Sequence, residues 1–142
     1  FDFWERVTEP VTRKRWQAIV NKYQRQDPDG LNFRTFYKAA HEIYTPEVMN
    51  QGRRLLQVAA ERASGEETAS RRVGFLAKGL RDAQLTLETQ EAFRGYRKTG
   101  KRSGFDAATR RLRAFRHSLE KDYVVNLSYV SFQENMTWKS RD

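Results

Sequence analysis

Two acidic pairs, one histidine–glutamate run and one pair of glycines are the residues of this chain whose types and spacing could do chemistry. Glu5 and Glu9 stand four apart, and Glu88 and Glu91 three apart. Glycoside hydrolysis needs two opposed carboxyl groups about 5–9 Å apart across a sugar-binding cleft. Carboxylates three or four apart on a helix share one face, so both pairs read as solvated charge. The run His41-Glu42-Ile43-Tyr44-Thr45 starts like a zinc-protease helix but lacks its second histidine. His41 and His117 lie far apart, with no cysteine to assist them, and make no metal site. Gly74 and Gly79 have the glycine spacing of a phosphate loop, but Leu80-Arg81 replaces the lysine and hydroxyl such a loop requires. These glycines are expected instead to let helices pack closely. Asn126-Leu127-Ser128 and Asn135-Met136-Thr137 match the glycosylation acceptor pattern, which is common by chance. No catalytic, cofactor-binding or metal-ligating residue is assigned.

The aromatics allow one more function. Trp4, Trp16, Tyr44 and Trp138 could form a sugar-stacking platform, because their rings present apolar faces with polar edges. Aromatics at helical spacing more often belong to a core, and Trp16 is read that way. Trp4 and Trp138 are expected to pack against a further domain.

Helices must position all of these residues. The segment from Glu66 to Tyr96 carries Ala69, Val73, Leu76, Leu80, Ala83 and Leu87 at alternating steps of four and three. That spacing predicts one long helix of roughly 45 Å with this stripe buried. Before it, Pro10 divides a short helix to about Thr8 from a second over about Pro10–Gln24. Asp27-Pro28-Asp29-Gly30 reads as a turn. Phe33, Phe36, Tyr37, Ala40 and Ile43 predict a short helix ending near Tyr44. Thr45-Pro46-Glu47 reads as a helix start: a threonine cap, a proline at the first position and an acid in the first turn. That helix is expected to reach about Ser64, with Val48, Leu55, Leu56, Ala59 and Ala63 facing inward and Gly65 as its stop. Gly95, Gly100, Ser103 and Gly104 predict a flexible turn. Asp106 is expected to cap a last helix over about Ala107–Lys121, with Ala108, Leu112, Phe115 and Leu119 on one face. The tail from Tyr123 is expected to be irregular or partly helical. The fold class is therefore all-α, a single helical bundle with one long central helix at about 66–96.

Composition agrees with a folded domain. A chain of 142 residues can bury about two-thirds of its unfolded surface. Its apolar fraction, 38%, is modest, but 13% aromatic residues argue against disorder. The absence of cysteine excludes disulfides and thiol chemistry. No apolar run approaches the ~20 residues of a membrane span, and no partnership with a membrane is expected. The net charge of +9 sits almost wholly in one block, residues 94–116. There Arg94, Arg97, Lys98, Lys101, Arg102, Arg110, Arg111, Arg113 and Arg116 face only Asp106. Such a block suits phosphates, solvent or an acidic neighbouring domain.

A resemblance extends this reading. Phe36-Tyr37, Glu42-Ile43-Tyr44-Thr45-Pro46-Glu47-Val48-Met49, Leu55-Leu56-Gln57-Val58-Ala59 and Arg72-Val73-Gly74-Phe75-Leu76-Ala77-Lys78-Gly79-Leu80 together resemble the C-terminal region of the domain-of-unknown-function 4838 family. Its members are large bacterial proteins that look like glycoside hydrolases. The resemblance covers residues 1–95 well and the rest weakly, and the basic block departs from it. The opening Phe1-Asp2-Phe3-Trp4-Glu5 fits the junction where such proteins leave their barrel. The resemblance implies that this chain is a segment excised from the C-terminal part of a multidomain parent. That parent would hold an α/β sandwich and a (β/α)₈-like catalytic barrel, and would be exported to the periplasm or beyond. Barrel active sites lie at the C-terminal ends of barrel strands, so no catalytic residue carries over to these positions.

The expected function is thus a non-catalytic accessory domain that packs against the catalytic barrel of its own parent chain. A homodimer is a second possible partnership, and the parent's substrate would be a polysaccharide. The alternatives are a helical nucleic-acid-binding module using the 94–116 block and a stand-alone protein-interaction domain. Nucleic acid is disfavoured because the block holds only Tyr96, Phe105 and Phe115 as aromatics, and Phe115 falls on a core stripe.

Overall fold

The structure, a computed structural model, describes residues 9–24 and 40–120. The chain is all-α, and no strand occurs among the described residues. The helices are α1 (Glu9–Gln24), α2 (Pro46–Arg62), α3 (Glu67–Thr99) and α4 (Ser103–Ser118). The chain divides into two compact units, Phe1–Asn50 and Gln51–Asp142. The expected helix before Thr8, the turn at 27–30, the start of the helix at Phe33 and the tail from Tyr123 lie outside the described residues, as do Trp4 and Trp138.

In the first unit, Pro10 falls in the opening turn of α1, where its missing N–H costs nothing. Ile19 of α1 and Ile43, in the helical turn 40–43, form a buried pair, with Trp16 and Tyr44 packed against it. Trp16 therefore takes a place beside a core. The Arg15 guanidinium donates to the Ile43 carbonyl at 3.0 Å, and Lys22 pairs with Glu42 at 2.9 Å. Burial pushes the Tyr44 phenol above its usual range. Thr45 opens α2 as its sequence predicts: the Thr45 carbonyl accepts from Met49 N–H at 3.0 Å, and Pro46 is the first helical residue. A hydrogen bond from the Thr45 side chain, with smaller help from the backbone and Arg15, holds the Glu47 carboxyl below its ordinary value.

The second unit is organised around α3. Gly65 ends the preceding turn at φ 91°, and the Glu66 carboxylate caps α3 by accepting from Thr68 N–H at 2.9 Å and Ala69 N–H at 2.7 Å. The helix runs 33 residues, about 50 Å, and outlasts its predicted end by three residues. Gly95 lies inside it rather than in a turn. Gly100 alone makes the stop, at φ 72°, with its N–H donated to the Tyr96 carbonyl at 2.8 Å. Only residues 100–102 then separate α3 from α4, so α4 starts at Ser103, four residues before the expected Ala107. Asp106 consequently sits in the first turn and is not the cap; Arg102 donates to it at 3.1 Å.

The predicted stripe of α3 is corrected. Leu76 is 51% exposed, and Ala69, Val73, Leu80, Ala83 and Leu87 are only half-buried. The buried positions are Leu85, Thr89 and Gln90. The cause is length: α3 is twice as long as α4, so α4 contacts only the C-terminal half, through Asp82, Thr86, Phe93 and Tyr96. On α4 the predicted face holds, with Ala108, Leu112 and Leu119 buried, Phe115 half-buried and Phe105 added in the first turn. On α2 the expected inner face holds in part: Val48, Leu56 and Ala59 are half-buried and Ala63, just past the helix end, is buried, whereas Leu55 is exposed and Met49 and Gly52 are buried in addition. At Gly52 a Cβ would stand 3.4 Å from a Leu80 methyl, in ordinary van der Waals contact. Gly74 and Gly79, expected to let helices pack closely, have open space where a Cβ would go.

Truncation separates the two halves. Leu112, 1% exposed, is expected to cost about 2–5 kcal/mol on Leu112→Ala. Leu76→Ala should cost about 0.5 kcal/mol or less. Urea unfolding of the two variants measures both, and a larger loss at Leu76 would reverse the assignment.

Candidate functional site

Arg116, which the sequence groups with the basic block 94–116, is a buried charged side chain among the described residues. It lies on the same face of α4 as Leu112 and is 3% exposed. Its Nε donates to Asp82 Oδ1 at 2.7 Å, and its Nη2 to Asp82 Oδ2 at 3.3 Å and Thr86 Oγ1 at 3.0 Å. This is a forked, charge-assisted contact that lysine could not reproduce. One turn further along α3, Thr89 is wholly buried and donates to the Leu85 carbonyl at 2.7 Å. At the other end of the helix pair, Phe105 lies 5.3 Å from Phe93 and stacks on Tyr96 at 6.2 Å. An ionic fork and an aromatic cluster thus bracket the α3–α4 hairpin.

The rest of the basic block divides in two. Arg94 pairs with Glu91, Arg102 with Asp106 at 3.1 Å, and Arg111 approaches Glu88 at 3.9 Å. Arg97, Lys98, Lys101, Arg110 and Arg113 make no ion pair among the described residues. The block's aromatics are occupied: Tyr96 and Phe105 stack on each other, and Phe105 is buried.

The acids tested for chemistry do not converge. Glu88 accepts from Gln84 at 3.0 Å, while Glu91 is held by Arg94. Glu5 and the Glu9 side chain lie outside the described residues. His117 is exposed and pairs with Glu120 at 2.9 Å, and His41 is in the first unit. No group of three metal-ligating side chains occurs among the described residues, and no described helix is long and apolar enough to cross a membrane.

The second unit does carry a concave surface that sequence reading missed. A trough of about 450 Å³ runs between α2 and α3. Leu56, Ala60, Val73, Gly74, Ala77 and Leu80 floor it, Arg53 and Arg81 line it, and Gln57, Ser70 and Gln84 complete it. The polar lining is engaged within the domain. Gln57 donates to Glu61 at 3.3 Å, Ser70 to the Ala63 carbonyl at 2.8 Å and Gln84 to Glu88 at 3.0 Å. The signal for this trough is the run of small residues Ala60, Gly74 and Ala77, which is visible only once α2 and α3 are known to be neighbours.

No protein-family model, curated protein or solved structure matches this chain. The resemblance to the domain-of-unknown-function 4838 family therefore rests on the residues quoted for it alone.

The ionic fork has an asymmetric signature. Asp82→Ala leaves a buried guanidinium without its carboxylate and is expected to cost about 3 kcal/mol. Arg116→Met leaves Asp82, whose side chain is 30% exposed, to water, and should cost clearly less. Thermal denaturation of the two single variants and the double variant checks this order. Single losses that simply add in the double variant would mean that the fork contributes no more than a surface pair.

Proposed function

We propose that this chain is a non-catalytic helical accessory domain of a larger, glycoside-hydrolase-like, carbohydrate-active protein, where it packs against the catalytic barrel. One observation carries the docking part of this reading. Leu55, Val58, Phe75 and Leu76, four large apolar side chains of α2 and α3, lie exposed, with Phe75 at 57%. Single exposed apolar residues are ordinary; several on one helical hairpin favour a surface that is covered in use. The resemblance of residues 1–95 supplies the carbohydrate context, and self-association is a second use of the same surface.

Five cations that make no ion pair among the described residues favour a rival, nucleic-acid binding through residues 94–116. Charge alone gives weak, salt-sensitive binding to any polyanion. Base-stacking aromatics would add selectivity, and the mutual stacking of Tyr96 and Phe105 removes those rings from that role.

The purified chain should turn over none of a panel of aryl glycosides. The reading frame upstream of Phe1 should encode strand–helix alternation with paired acids. Hydrolysis by the chain that is lost on Glu88→Gln, or an upstream sequence with no such alternation, would contradict the proposal.

A further inference from the structure

We draw no further inference here: the strongest candidate, the exposed cations Arg97, Lys98, Lys101, Arg110 and Arg113 of the α3–α4 hairpin, belongs to the rival reading already described, and nothing in the structure shows which polyanion or protein surface would meet it.

Discussion

Arg116 cannot be buried beside Leu112 unless its charge is met, and that requirement sets the geometry of the second unit. A buried guanidinium without a carboxylate costs several kcal/mol. Asp82 and Thr86, one turn apart on α3, meet it with three hydrogen bonds. The fork has a fixed direction and reach, so it defines where α4 lies along α3 and how far it is rotated. An apolar contact could slide by a turn at small cost; this one cannot. At the other end, the Phe93–Tyr96–Phe105 cluster joins the helices directly beside the residues 100–102 connection. Between the two locks, Leu85 and Thr89 of α3 and Ala108 and Leu112 of α4 are buried.

With its C-terminal half committed to α4, α3 has an N-terminal half with a different occupation. There its contact with α2 runs through Leu80 over Gly52, close enough that a Cβ would touch the leucine methyls. Leu76 and Phe75 remain exposed, and the trough with its small-residue floor opens on one side of the α2–α3 seam. One helix thus forms internal core at one end and leaves large apolar side chains exposed at the other.

Much of this was legible in the sequence where backbone chemistry decides. Thr45-Pro46, Gly65 and Gly100 end or begin helices for reasons local to the residue, and they do so here. The face of α4 was legible because Ala108, Leu112 and Leu119 are apolar at regular steps. The face of α3 that meets α4 was not, because Asp82, Thr86, Thr89 and Gln90 are polar and a search for apolar period passes over them. That search selected Val73, Leu76 and Leu80 instead, a regular stripe that α4 does not reach. Arg116 was hidden for the same reason: composition counted it with eight other cations, and only its partner on α3 distinguishes it. The assignment of close packing to Gly74 and Gly79 failed because a glycine's meaning depends on the neighbouring helix, and the neighbour here approaches Gly52.

Native-state hydrogen exchange resolved along α3 tests the division of this helix most directly. If the fork and the aromatic cluster hold the core, amides of residues 85–93 exchange only through global unfolding. Amides of residues 70–77, in the same continuous helix, then exchange through a smaller opening, at least about tenfold faster. Uniform protection from Ser70 to Phe93, or stronger protection in the N-terminal half, would contradict the account.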